Sequence, residues 1–392
     1  MVQQLIQDFI DRYLPREDVM RRLPLDLSIQ TFWPQLQAVR RALGHDLPLS
    51  DQSGTAFWFV PSPAIKRQVD IISASARREQ LLSPMLLEDL QAEAVIEEAV
   101  YSSMIEGAFT TRQEAERLLK SGREPASKSE QMVKNNYDAL THILEHLEEE
   151  ISSDFIIRIA GILTRNASEE PVTTYRQGQV VVAGRDEIIY TPPEAGAVPV
   201  MMDSLLLFIR HSSLHPVLTA SIAHFYFVYV HPFSDGNGRT ARALSLMILL
   251  QAGYDLFRTF PISGIVAKER GKYYKAIKNA EEAQGDLTYF IDFFSDMLSR
   301  SVLETEHRIR YQLLAEQRMQ ALKAKGLLNE RQLKGADWLL RSENEQITVA
   351  VWQKKFRIAT ETARQDLLLL SQLGLLKRRL DGRRAVFELV RE

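Results

Sequence analysis

The sequence predicts a mainly α-helical protein with one short hairpin near its middle and a small helix-and-hairpin module at its C-terminus. Three observations carry this reading. Apolar residues recur at helical spacing through most of the 392 residues. Alternating runs typical of strands are scarce. Residues 327–392 then change character, ending in two short alternating runs around Asp381-Gly382.

Residues 1–44 have the periodicity of one or two amphipathic helices. Residues 45–63 form a turn-rich patch with Gly54, Pro61 and Pro63, and an aromatic cluster at Phe57-Trp58-Phe59. Helices follow over 65–82 and 86–109, and another from about 130 to 149 after a loop at Gly122 and Pro125. Residues 180–184 and 188–191 make the one clear hairpin, stopped by Pro192-Pro193. Helices resume at 198–212 and 216–230, the latter with Pro216 at the tolerated first position. Later helices cover roughly 268–283 and 287–325. The organisation read from this is a helical N-terminal region (1–84), a central domain (85–300), a linker helix (301–326) and a C-terminal domain (327–392).

Composition narrows the class. Apolar content of 45% supports a large core, and a net charge of −3 exerts no global pull toward nucleic acid or acidic membranes. With no cysteine, disulfides and thiolate metal sites are excluded. No run reaches the roughly 18 apolar residues of a membrane span. The N-terminus lacks the basic start and unbroken apolar core of a signal peptide. A soluble, cytoplasmic protein without a membrane partner is the expectation.

Chemistry concentrates at residues 231–242, His-Pro-Phe-Ser-Asp-Gly-Asn-Gly-Arg-Thr-Ala-Arg. An imidazole, a carboxylate, two glycines, an asparagine and two arginines supply a base, a metal ligand, backbone donors and cationic clamps. Transfer of a phosphate-linked group needs that inventory. The segment lies between two apolar stretches, so it reads as a loop opening a helix, where unpaired N–H groups bind anions. His224 lies two helical turns before His231, but no carboxylate or third histidine completes a metal site. His224, His211 and His215 read as satisfied core residues.

The twelve residues match the HPFx(D/E)GNGRxxR signature, and the chain thereby resembles the Fic family. Tyr175-Arg176 with the 180–191 hairpin is similar to that family's flap, and Tyr273-Tyr274, Gly285-Asp-Leu and Phe293-Phe294 to its later helices, a resemblance spanning roughly 85–300. It implies a Fic helical core and a protein adenylyltransferase that moves AMP from ATP to a Ser, Thr or Tyr hydroxyl of a protein target. The residues fit those roles. His231 accepts the hydroxyl proton as the oxygen attacks the α-phosphorus. Asp235 is a hard oxygen donor suited to Mg²⁺. Gly236 and Gly238 let backbone N–H groups approach the phosphates. Asn237 donates to the α-phosphate. Arg239 and Arg242, three residues apart on a helix, clamp the outer phosphates. Phe233 anchors the loop from inside.

Upstream, Ser102-Ser-Met-Ile-Glu106-Gly107 fits (S/T)xxxE(G/N), similar to the family's inhibitory motif. The resemblance implies that Glu106 pairs with Arg242, steadied by Ser102, and takes the place of the γ-phosphate. The flap offers an edge strand to which a target segment adds, with Ile188 and Ile189 either pinning the target or filling core. Tyr273 and Tyr274 resemble residues beside the adenine, or pack as ordinary helical tyrosines. Two other readings share the sequence: removal of AMP or transfer of another phosphate-containing group, and a DNA-binding regulator whose core senses nucleotide. Self-modification and a homodimer stay open.

Helix, helix, helix, hairpin is the order of a winged helix-turn-helix, with helices over 327–340, 349–356 and 359–373. Residues 327–392 hold 13 Lys and Arg against 9 Asp and Glu, about +4, which leaves about −7 for the rest. Thr360, Thr362, Arg364 and Gln365 have base-edge and phosphate-contacting chemistry, and Arg378, Arg379, Arg383 and Arg384 fall on the wing. Glu361 and Asp366 lie in the same helix, so DNA contact and protein docking are both compatible with the sequence.

Overall fold

The first residues fold into three helices, α1 (Val2–Arg12), α2 (Arg16–Arg22) and α3 (Ile29–Leu43), one more than the periodicity separates. The protein, as a computed structural model, is described over residues 2–79, 84–183, 188–259, 261–341, 346–381 and 384–390. Phe9, Ile10, Val19, Ile29, Phe32 and Leu36 form the core of these helices. Arg40 is fully buried among them, donating to Phe9 O (2.8 Å), Leu14 O (3.0 Å) and the Tyr289 hydroxyl (2.7 Å). The contact to Tyr289 ties this N-terminal region to residues nearly 250 positions away, so the expected boundary at residue 84 is not one. The unit is continuous over Met1–Leu303.

The turn-rich patch is a second hairpin, which the sequence reading lacked. Strands β1 (His45–Ser50) and β2 (Ala56–Phe59) pair antiparallel, His45 opposite Phe59. Asp51 closes the turn by accepting from Ser53 N (2.8 Å) and Thr55 N (2.9 Å), and Gly54 supplies φ +86°. No alternation marks β2 because Phe57, Trp58 and Phe59 are all buried. Phe57 meets Phe225, Tyr226 and Tyr229 edge-on at 5.3–5.9 Å.

Helices α4 (Pro63–Glu79), α5 (Pro84–Ile105), α6 (Arg112–Ser121), α7 (Lys128–Glu145) and α8 (Ser153–Thr164) follow. The sequence reading missed α6 and α8. Yet α6 begins with a Thr111–Glu114 capping box, and α8 with Ser152 accepting from Phe155 N at 3.2 Å. A short hairpin, β3 (Val182–Ala183) and β4 (Ile188–Tyr190), lies where expected. Its turn, residues 184–187, lies outside the described residues. Then come α9 (Val198–His211), α10 (Pro216–Val230), α11 (Asn237–Gln251), α12 (Ser263–Lys268), α13 (Arg270–Glu282) and α14 (Thr288–Lys325). Helices α10 and α11 pack on each other in the middle of the unit and are buried on every side. Their junction is residues 231–236. The expected linker helix has no separate existence, since α14 runs unbroken across residue 301.

The second unit, Glu304–Glu392, contains α15 (Glu330–Arg341), β5 (Gln346–Thr348), α16 (Val349–Phe356), α17 (Thr360–Gln372), β6 (Leu376–Asp381) and β7 (Arg384–Leu389). Strand β5 was not expected. It joins the hairpin to give an antiparallel sheet of order β5-β7-β6. A separate core gathers Ala336, Leu339, Trp352, Leu367, Leu370 and Phe387. At Gly335 an added Cβ would lie 2.0 Å from the Trp352 ring, so α15 and α16 meet with no room for a side chain there. Among the described residues no helix is long and apolar enough to cross a membrane.

Candidate active site at the α10–α11 junction

Helix α10 stops at His231, whose φ of +51° turns the chain sharply. His231 N still donates to Phe227 O at 2.9 Å. The imidazole Nδ1 lies 3.2 Å from Val228 O. A carbonyl only accepts, so Nδ1 carries the proton and Nε2 keeps a free lone pair. Burial pushes the His231 pKa below the ordinary histidine value, which leaves the ring neutral near pH 7.

The loop is braced from both sides. Arg176 donates to His231 O (2.8 Å), Gly178 O (3.1 Å), Val230 O (3.3 Å) and Pro193 O, tying the base of the flap to the end of α10. Sequence reasoning placed Arg176 at the flap but assigned it no role; nothing local announces one. The Tyr190 hydroxyl adds a second tie, donating to Tyr229 O at 2.9 Å. Phe233 is fully buried, as expected. Asn237 departs from expectation. Its Oδ1 accepts from Phe233 N (2.9 Å) and its Nδ2 donates to Phe233 O (2.8 Å). The side chain is buried and spent on closing the loop, so it braces rather than reaching a phosphate.

Asp235 is the exposed member, its side chain 49% accessible. It accepts from the Ser168 hydroxyl, from Gly236 N (2.6 Å) and from Arg239 Nη2 (3.4 Å). The Ser168 bond and the Arg239 charge hold its pKa below the carboxylate norm against the cost of burial. Gly236 caps α11 with φ +80°, a conformation suited to glycine. An added Cβ there would lie 3.0 Å from Thr164 Cγ2.

Arg239 and Arg242 are buried in the first turns of α11, and the structure brings them to one place. Arg239 Nη1 donates to Leu163 O at 2.8 Å. Arg242 is held by α5: Nε donates to Ser102 Oγ (2.9 Å), and Nη2 to Ser102 O (2.9 Å) and Glu106 Oε1 (2.9 Å). Arg239 Nε and Arg242 Nη1 are buried without a partner among the described residues. Burying unsatisfied cationic donors is costly, so the site is built to accept an anion. Glu106 Oε1 lies at the start of α11: a Cβ added to Gly238 would fall 2.2 Å from it. Gly107, φ +92°, ends the turn beyond it.

Tyr273 is 2% exposed and its hydroxyl lies 2.8 Å from His224 Nε2. Ser245 gives its proton to Ala241 O (2.8 Å), so it accepts from His224 Nδ1–H (3.0 Å), and Nε2 accepts from Tyr273. Burial pushes His224 down to about 3. His224 is thus a satisfied core residue, and Tyr273 is a core residue too, not an open wall for a base. Tyr274 is 41% exposed beside Arg270. The side chains of Ile188 and Ile189 lie outside the described residues.

Among the described residues no three His, Asp or Glu group to hold a metal. One ionised, accessible carboxylate fits Mg²⁺ nonetheless, because that ion takes one or two carboxylates and completes its shell with phosphate and water.

Residues 150–249 match the family model described as the Fic/DOC family. Proteins called "Protein adenylyltransferase Fic" from Drosophila virilis and Drosophila melanogaster are each 37% identical over 131 residues, 33% of this chain and 24% of theirs. The chain therefore matches about a quarter of the length of these relatives. Two solved structures share the fold. A Fic family protein from Desulfovibrio desulfuricans G20 has TM-score 0.56 and 20% identity, over 84% of this chain and 97% of that one. Fic-1 (residues 134–508) from C. elegans has TM-score 0.56 and 19% identity, over 76% and 82%.

Proposed function

Since the chain belongs to the Fic/DOC family, we propose that it is a protein adenylyltransferase, moving AMP from ATP to a Ser, Thr or Tyr hydroxyl and restrained by its own Glu106. The observation that carries this is a pair of buried arginines with unpaired donors in the first turns of the helix after His231, with the Glu106 carboxylate on Arg242.

The phosphates of ATP take the mouth of α11, where the Gly236–Gly238 backbone, the helix dipole and the two guanidinium groups meet. Arg242 holds the outer phosphates and Arg239 shares their charge. Asp235 would hold Mg²⁺, which offsets charge on the departing phosphates. A target hydroxyl attacks the α-phosphorus. Its proton passes to His231 Nε2, the new O–P bond forms, and the bond to the bridging oxygen breaks, so pyrophosphate leaves with the electron pair. A neutral base is required, and burial keeps His231 neutral. With Glu106 on Arg242, a carboxylate fills the outer-phosphate place and repels the triphosphate. ATP then binds weakly or out of line for attack.

Label position tests the reaction. The Glu106→Gly protein incubated with Mg²⁺ and ATP labelled at the α-phosphate should become labelled, whereas the γ-labelled compound should leave it unlabelled. Label arriving only from the γ-position means phosphoryl transfer and overturns the reading.

A further inference from the structure

We propose that residues 304–392 form a winged helix-turn-helix that binds duplex DNA, with α17 entering the major groove and the β6–β7 hairpin lying on the phosphate backbone. Three observations support it, none drawn from the active site. First, the element order is helix, strand, two helices and a hairpin, with the sheet ordered β5-β7-β6. Residues 357–359 alone separate α16 from α17, and Arg357, φ +51°, makes the turn.

Second, α17 is fixed from behind and free in front. Asp366 on its inner face accepts from Arg331 Nε (3.0 Å) and Nη2 (2.9 Å), Gln332 Nε2 (2.7 Å) and Trp352 Nε1 (3.1 Å). That carboxylate is 2% exposed, so one of the two acids that argued against DNA never meets a phosphate. The outward stripe is Glu361, Arg364, Gln365 and Gln372, all exposed, with Thr360 at the helix start. Arg and Gln pair with base edges, and Glu accepts from cytosine.

Third, the exposed charge from β5 to β6 is mostly positive. Between residues 346 and 379 lie Lys354, Lys355, Arg357, Arg364, Lys377, Arg378 and Arg379, all exposed, against Glu361 as the one exposed acid. Among the described residues, Lys354, Arg357, Lys377 and Arg378 have no acidic partner, and Arg364 meets Glu361 only at 3.8 Å. A protein-docking face would centre on large apolar side chains. In residues 304–392 the large exposed ones among the described residues are Leu314, Leu327, Val351 and Leu380, none of them on α17. A 13-residue helix suits the B-form major groove and not the deep, narrow groove of an RNA duplex.

The test uses the full chain, a mixed-sequence DNA duplex of about 20 base pairs and its RNA counterpart, followed by fluorescence anisotropy at several salt concentrations. Binding to the DNA should weaken steeply with salt, with a log–log slope of about −4 to −5 if five phosphates are neutralised. Lys354→Gln, Arg364→Gln and Arg378→Gln combined should flatten the slope by about three and cut low-salt affinity roughly a hundredfold. These side chains are exposed, so an unchanged melting temperature confirms that the variant is folded. The proposal is overturned by absence of DNA binding at low salt, by tighter binding to the RNA duplex, or by binding that the folded triple variant retains. Any of these leaves the module to protein docking or RNA.

Discussion

Arg242 has one guanidinium and two claimants, Glu106 and an incoming phosphate. Ser102 fixes the guanidinium plane through two bonds, to Nε and Nη2, so the arginine is aimed before either claimant arrives. Ser102→Ala removes one of these while sparing Glu106, and should loosen both states. Labelling by the Glu106→Gly protein should then need several-fold more ATP for half-maximal rate, read as a raised KM with nearly unchanged kcat. An unchanged KM would show that Ser102 aims nothing. His231 makes a pH prediction with a definite sign. Its pKa lies below 6.5, so the working, neutral base is complete above that pH and is lost as pH falls through the depressed value. The rate of the Glu106→Gly variant should therefore be flat from about pH 7 to 8 and fall tenfold per unit in acid, below a midpoint under 6.5. Removing Glu106 deletes a charge that raises this pKa, which moves the midpoint further down. A rate still climbing between pH 7 and 8 would place the base elsewhere. The catalytic loop was legible at this scale because its residues are contiguous. Asn237 was misassigned because its partner is the Phe233 backbone, and an amide reads the same whether it faces a ligand or its own loop.

At the scale of elements, the proposed brake is only as firm as the docking of α5. Glu98 is buried one turn before Ser102, and it accepts from Ser263 N at 2.8 Å and from the Ser263 hydroxyl. This fastens α5 to the start of α12. Gly264 beside it leaves room for the Tyr101 ring, 3.4 Å from where a Cβ would stand. Burial pushes the Glu98 carboxyl up, toward neutrality, and a glutamine can still accept from Ser263 N while its amide NH₂ donates to the Ser263 hydroxyl. Glu98→Ala should release α5 and raise self-labelling several-fold in the presence of an intact Glu106, whereas Glu98→Gln should stay near wild type. Equal labelling by wild type and Glu98→Ala would detach α12 from control of the brake. None of this was legible in the sequence, because Glu98 and Ser263 are 165 positions apart. The β1–β2 hairpin escaped for a related reason: its burial on both sides erases the alternation that marks a strand. Helices α6 and α8 were within reach, since capping serines and threonines precede both.

At the scale of the molecule, two cores predict two unfolding events. Trp352 is fully buried in the second unit and donates to Asp366. Made in the Glu106→Gly protein, Trp352→Ala should cost that unit about 3–5 kcal/mol, lowering one calorimetric transition while the other, and self-labelling activity, stay in place. A single transition that shifts as a whole, with activity lost in parallel, would show that the units fold as one. The sequence reading ended the central domain at residue 300 and began the C-terminal one at 327, whereas the second unit starts at Glu304 inside α14, which carries its helical periodicity across the boundary. The N-terminal helices were assigned no role, and their link to the rest includes the buried Arg40–Tyr289 and Tyr13–Asp286 pairs.

On the proposed reading, a buried imidazole serves a nucleotide held at the mouth of α11, and Glu106 excludes it. Intact mass after incubation with ATP and Mg²⁺ tests this most directly on Glu106→Gly, with and without His231→Ala. Glu106→Gly should gain one or more adenylyl groups, wild type little or none, and the double variant none. A Glu106→Gly protein whose mass never changes, or a double variant labelled as fully as the single one, would contradict it.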